Sequence, residues 1–165
     1  MKKLICATTF TLAIPIGIAS LYAFSVPAFA GGVLREANAP HIVHSSAHPN
    51  GTRVPNTTHH FEVHVQGKEL SQLSFEVPDG VEVSDRIMVS DQSGKKIDST
   101  VSIKDKRATI AFSQPVPLET TLSISMKGAK VSFLSQGRTF LYPVYGKSVG
   151  MTQEIRIGIA QIQTY

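Results

Sequence analysis

From Phe61 to the C-terminus, apolar side chains recur at every second position along a series of short segments. Phe61, Val63 and Val65 follow this spacing, as do the apolar residues within 122–126 and 155–159. Alternation of this kind is typical of a β-strand with one buried and one solvated face, because successive side chains of a strand point to opposite sides. No long window shows the 3.6-residue period of an amphipathic helix.

Turn-forming residues separate these alternating segments at short intervals. Such residues occur at 78–80, 92–95, 104–107, 115–117 and 127–128. Many short strands joined by turns are typical of antiparallel sandwiches and barrels, in which the inward side chains of each strand supply the core. We therefore predict an all-β fold, an antiparallel two-sheet sandwich of immunoglobulin-like architecture with about eight strands.

Residues 1–30 have the pattern of a cleaved secretory signal peptide. Two lysines precede an apolar stretch that runs to about Phe24, and Ala28-Phe29-Ala30 places small residues before a cleavage site. We expect cleavage after Ala30, export to the periplasm or cell envelope, and no stable membrane anchor afterwards. The alternative is an uncleaved anchor, since the apolar stretch is long enough to span a bilayer.

The segment 31–58 differs from the rest of the chain in composition. It contains three prolines, three glycines and many small polar residues, which break any regular period. We predict a loop-like arm here, in which residues 41–44 could add a short edge strand, and a single β-sandwich domain over residues 59–165.

Charge and cysteine content narrow the class of protein. The single cysteine, Cys6, lies in the predicted signal peptide, so the exported chain forms no disulfide and depends on apolar burial for stability. Loss of Lys2 and Lys3 lowers the formal net charge from +4 to +2. A charge this small argues against nucleic acid as a partner.

The histidines form the one conspicuous cluster of reactive side chains. All six lie between His41 and His64. His60, Glu62 and His64 share the strand face opposite Phe61, so two imidazoles and a carboxylate stand in a row. Imidazole nitrogen is a good ligand for Zn²⁺ and Cu²⁺, and a third ligand from the arm would complete a site.

Two interpretations of this cluster remain open. In the first, the histidines are polar residues of an ordinary solvated strand face and the protein has no cofactor. In the alternative, His60, Glu62 and His64 bind Zn or Cu together with His44 or His48 from the arm. No thiolate, HExxH or CxxC pattern supports the metal.

A match to a hydrolase motif lacks the required context. Residues 146–150 read G-x-S-x-G around Ser148, but a nucleophile elbow needs a helix after the serine, and the next segment alternates like a strand. We predict no catalytic residues and no enzymatic activity. Tyr142 and Tyr145, which flank Pro143, form a candidate partner surface, although aromatic side chains more often pack in a core.

The second half of the chain resembles a known family. Its motifs are a Pro-Val-Pro turn that leads into a strand, an aromatic strand, and a closing strand that ends on tyrosine. The matching residues are Pro115-Val116-Pro117 with Thr120-Thr121, Phe140-Leu141-Tyr142-Pro143, and Ile157-Gly158-Ile159 with Tyr165. These resemble the cyanobacterial family called domain of unknown function 2808, over about residues 59–165.

The resemblance implies an exported protein of a cyanobacterial envelope with an all-β domain and no assigned activity. The family's first strand is rich in Tyr, Phe and Thr where this chain has His59, His60 and His64. The sequence therefore predicts a non-catalytic binding module whose partner is an envelope protein or a polysaccharide. The alternative function is periplasmic binding of Zn or Cu by the histidine cluster.

Overall fold

A computed structural model describes residues 38–51, 56–132 and 138–165, all of which lie in one compact unit, Leu34–Tyr165. The predicted signal peptide, residues 1–30, lies outside the described residues. Ten strands and no helix occur in the described part of the chain. The strands are β1 His41–His48, β2 Asn56–His64, β3 Leu70–Glu76, β4 Val81–Glu82, β5 Ile87–Ser90, β6 Ser99–Lys104, β7 Arg107–Val116, β8 Thr121–Val131, β9 Thr139–Ser148 and β10 Ile155–Gln163.

The strands form two antiparallel sheets of five strands each. The first sheet has the order β1-β2-β8, and both β4 and β5 pair with β8. The second sheet has the order β10-β9-β3-β7-β6. The prediction of an all-β, two-sheet antiparallel fold is confirmed, with ten strands in place of about eight.

The prediction that residues 31–58 form a loop-like arm is wrong for residues 41–48 and 56–58, while residues 31–37 and 52–55 lie outside the described part of the chain. Residues 41–48 form a full edge strand of the first sheet, and β2 begins at Asn56, before the predicted domain boundary. The physical reason is backbone pairing: β1 follows β2 from His41 opposite His64 to His48 opposite Thr58. This pairing satisfies backbone groups that a loop would leave to water.

A β-bulge in β1 decides which of its side chains face outward. Ile42 pairs with Val63 and His44 with Glu62, so the residue between them, Val43, has no partner on β2. Two residues an odd number apart normally lie on opposite faces of a strand, but one extra residue restores the same face. His41 and His44 therefore both point outward.

The core is built by the inward side chains of both sheets. The ring of Phe61 in the first sheet meets that of Phe75 in the second at 5.4 Å between centroids, edge to face. Phe75 in turn lies 6.1 Å from the ring of Tyr142. The largest other side chains with no exposure are Leu70, Leu73, Ile110, Leu122, Ile124, Met126 and Ile162.

The two sheets also meet at one side of the sandwich, where β1 packs against β10. The Ser45 hydroxyl donates a hydrogen bond of 2.6 Å to the backbone carbonyl of Gln161. The Ile42 side chain lies over Gly158, where a Cβ atom would stand 3.1 Å from Ile42 Cδ1. The edges of the two sheets thus cover each other.

Candidate functional site

The outer face of the first sheet carries five of the six histidines, together with a row of hydroxyl groups from β8. We call it the histidine face. It comprises His41, His44, Ser46 and His48 of β1, Thr58, His60, Glu62 and His64 of β2, and Thr121, Ser123 and Ser125 of β8. The prediction that His60, Glu62 and His64 share the face opposite Phe61 agrees with this register.

His60 is held between a hydroxyl group and a carboxylate. Its Nδ1 lies 3.1 Å from Ser125 Oγ, and its Nε2 lies 3.3 Å from Glu62 Oε1. The ring of His44, from the neighbouring strand, lies 6.2 Å away between centroids. Two imidazoles and one carboxylate are thus gathered at this point of the face.

His64 repeats the arrangement at the other end of β2. Its Nδ1 lies 3.1 Å from Thr121 Oγ1, and its Nε2 lies 3.4 Å from Glu119 Oε2. The ring of His41 lies 5.4 Å from the His64 ring between centroids, while His41 Nδ1 lies 3.3 Å from the carbonyl of Ala39. Glu119, which no sequence pattern indicated, also belongs to this group.

The geometry corrects the idea of one metal site that uses both His60 and His64. The two residues are four positions apart on one strand, which separates them by about 13 Å, too far for a shared ion. His48 is exposed, lies opposite Thr58, and joins neither pair. Within the described ranges, no three His, Cys, Asp or Glu side chains already converge at metal-binding distance.

The sixth histidine, His59, lies in the core. Its side chain has no exposure, and its Nδ1 lies 2.5 Å from the hydroxyl oxygen of Tyr142. Its Nε2 has no hydrogen-bond partner among the described residues. Burial lowers the pKa of His59 to about 4, so the ring is neutral at pH 7. The sequence contained a signal for this burial, because His59 lies two residues before Phe61 and therefore on the same, inward face of the strand.

The structure separates the two tyrosines of the predicted partner surface. Tyr142 is fully buried, and burial raises the pKa of its hydroxyl. The prediction that Tyr142 belongs to a partner surface is therefore wrong. Tyr145 lies on the outer face of the second sheet and is half-buried. The Arg107 guanidinium sits 4.6 Å above its ring, and a hydrogen bond with Glu76 raises the pKa of Tyr145.

Beside Tyr145 lies a group of outward-facing apolar side chains that we call the apolar strip, formed by the exposed Leu141 and Ile159 and the half-buried Pro143. Leu141 and Ile159 are 47% and 39% exposed, and Ile159 is the direct cross-strand partner of Pro143. The strip lies on β9 and β10, and Arg156 pairs with Tyr145 at its end.

The G-x-S-x-G match does not form a nucleophile elbow. Ser148 is the last residue of β9 and is buried, and the chain continues through a turn into β10. Among the described residues, no helix is long and apolar enough to cross a membrane.

Comparisons with known proteins identify the fold. No family model matches the chain, and no curated protein matches it. The chain is similar to the solved N-terminal domain of the Streptococcus gordonii adhesin Sgo0707, with a TM-score of 0.51 and 11% identity over 78% of this chain. It spans 33% of the length of that solved chain.

Two further solved structures are similar at lower scores. One is the collagen-binding subdomain of the Enterococcus faecalis surface protein ACE, with a TM-score of 0.47 and 8% identity over 73% of this chain and 95% of that one. The other is the collagen-binding domain of a Staphylococcus aureus adhesin, with a TM-score of 0.44 and 10% identity over 76% of this chain and 97% of that one. The class defined by the fold is an immunoglobulin-like β-sandwich domain.

Proposed function

We propose that the protein is an exported component of a cell envelope whose β-sandwich binds a partner without catalysing a reaction. The observation that carries this proposal is the apolar strip, because exposed apolar side chains grouped on one sheet face are the usual mark of an interaction site. Leu141 and Ile159 are large, and neither contributes to the core.

The neighbourhood of the strip favours a protein partner over a polysaccharide. Sugars stack on open aromatic faces, but Arg107 occupies one face of the Tyr145 ring and hydrogen-bonds Ser74. The same guanidinium pairs with the carboxylates of Glu76 and Glu154, which hold it in place. Polar residues border the strip, with Gln161 opposite Leu141 and Arg156 opposite Tyr145, an arrangement found at many protein interfaces.

The fold and the predicted leader support the same proposal. An immunoglobulin-like sandwich is a common scaffold for extracellular binding, and the adhesin similarity is a fold-level analogy of this kind. Export depends on the signal-peptide pattern of residues 1–30. The resemblance to the domain of unknown function 2808 agrees with an envelope location and stays a prediction.

The test is affinity capture from envelope extract followed by direct binding measurements with the captured protein. The Leu141→Asp/Ile159→Asp variant should weaken binding at least about tenfold, because hot-spot truncations cost more than about 1 kcal/mol each. Val149→Asp is the matched control, since Val149 is also 44% exposed but lies outside the strip. Equal binding by both variants would show that the strip is not the interface. Capture of polysaccharide alone would refute the protein partner.

A further inference from the structure

The histidine face holds two copies of one arrangement. In each copy a β2 histidine has Nδ1 against a hydroxyl of β8 and Nε2 against a carboxylate, while a β1 histidine stands beside it. The first copy consists of His60, Ser125, Glu62 and His44, and the second of His64, Thr121, Glu119 and His41.

We propose that these are two sites for a divalent transition metal ion, with Zn²⁺ as the expected ion. Each site has two imidazole nitrogens and one carboxylate oxygen as protein ligands and keeps a fourth position for water or for a group from a partner. Three protein ligands with one open position are a common zinc arrangement. The proposal does not depend on the partner surface, which lies on the other sheet.

The ligand spacings fit one tetrahedral ion. Ligands at zinc-bonding distances around such an ion are about 3.4 Å apart. His60 Nε2 lies 3.3 Å from Glu62 Oε1, and His64 Nε2 lies 3.4 Å from Glu119 Oε2. Each nitrogen–oxygen pair therefore already has the separation that a shared ion requires.

The β1 histidines have to turn toward the ion to join, since no three ligand side chains stand in place within the described ranges. Two imidazoles on one tetrahedral ion have ring centres about 5 Å apart. His41 lies 5.4 Å from His64, and His44 lies 6.2 Å from His60. The bulge at Val43 turns His41 and His44 to the same face of the sheet. Because of it, each of the two β2 histidines has a β1 histidine beside it.

The hydroxyl groups orient the ligands. When the imidazole proton is on Nδ1, Ser125 Oγ accepts it from His60 and Thr121 Oγ1 accepts it from His64. The Nε2 lone pair of each ring is then free for the ion. A hydrogen bond from the other ring nitrogen is the usual support of a metal-bound histidine.

The proposal is tested by calorimetric titration with Zn²⁺. The sample is the protein isolated from cells, after any processing of its N-terminus. We expect two ions per chain. His60→Ala and His64→Ala should each retain one ion, and the double variant should retain none. His48→Ala is the matched control and should retain two, because His48 lies on the same face but in neither group. Retention of both ions by the double variant would overturn the proposal, as would a loss in His48→Ala equal to that in His60→Ala.

Two further measurements test the geometry of the sites in chains that keep every metal-binding histidine. Co²⁺ in place of Zn²⁺ should give the intense visible absorption of a four-coordinate ion, whereas the weak absorption of a six-coordinate ion would contradict the geometry. Ser125→Ala should weaken the first site about tenfold. Ser123→Ala, which lies opposite Glu62 on the same face, should leave it unchanged. Equal affinity in these two serine variants would refute the orienting role.

Discussion

The buried pair of His59 and Tyr142 predicts a specific loss of stability in acid. The folded chain holds the His59 imidazole in the core, where burial lowers its pKa to about 4. In the unfolded chain the same group titrates at about 6.5. The contribution of neutral His59 to the free energy of unfolding is therefore complete above the unfolded pKa and is lost as the pH falls from there toward 4.

The size of the effect follows from the pKa difference. Between about pH 7.5 and about pH 4.5, the unfolded chain takes up a proton at His59 that the folded chain excludes, which lowers the free energy of unfolding by about 2.5 kcal/mol. Protonation would place a charge beside the rings of Phe140 and Tyr142.

Urea unfolding at a series of pH values, with EDTA present, measures this loss. Other groups titrate over the same range, so the quantity of interest is the difference between the native chain and His59→Gln, which keeps a hydrogen-bonding side chain but cannot ionise. We expect the native chain to lose about 2.5 kcal/mol more than His59→Gln over this range. His48→Gln, at an exposed position, should follow the native chain.

Parallel pH curves for the native chain and His59→Gln would refute the reasoning. Tyr142→Phe provides a second check if His59→Gln folds poorly. It removes the hydrogen bond to Nδ1 but leaves the imidazole buried, so it should lower stability by about 1 to 3 kcal/mol and keep the steep acid dependence.

Three further predictions concern backbone conformation and the core. Glu119 has a φ of 60°, a conformation that is strained for a residue with a Cβ atom. Glu119→Gly should therefore raise the free energy of unfolding in urea by about 1 kcal/mol, and it should also remove one zinc ion per chain. A loss of stability would contradict the backbone argument. Gly67→Ala should destabilise by more than about 2 kcal/mol, because φ is +78° and the new Cβ would lie 2.2 Å from the carbonyl oxygen of Asn38. The matched Gly94→Ala, with φ +81° but open space around it, should cost only about 1 kcal/mol, and equal losses would refute the steric argument. Phe61→Ala should cost about 3 to 5 kcal/mol by thermal or urea unfolding, and a loss below about 1 kcal/mol would show that the core is not packed as described.

The sequence was sufficient for the fold because alternation survives in most strands. Phe61 and Val63 in β2, and Leu122 and Ile124 in β8, are buried as their spacing predicted. A period of two in the side chains specifies which face is inside, so strand content and the outward position of His60 followed directly.

Alternation did not predict the structure where a bulge shifted the period, or where a strand was apolar on both faces and the contrast between inward and outward residues was lost. In β1 the bulge at Val43 shifts the period, so the pattern of residues 41–48 no longer reads as a strand. In β9 nearly every residue from Phe140 to Tyr145 is apolar or aromatic, and sequence alone could not show that Tyr142 points inward while Leu141 points outward.

The candidate metal groups needed the tertiary structure for a similar reason. Glu119 precedes β8 and meets His64 only because the turn after β7 brings it to the end of β2, where its backbone N–H donates to the carbonyl of Val65. Sequence placed His60 and His64 on one face but could not show which histidine of β1 stands beside each.

The contact between β1 and β10 has a consequence for self-association. Open strand edges invite strands from other molecules. Here Ser45 and Gln161 tie one edge of each sheet to the other, so that among the described strands each sheet keeps one edge that is not covered in this way. Each molecule thus offers an incoming strand two edges, one on each sheet, where two uncoupled sheets would offer four.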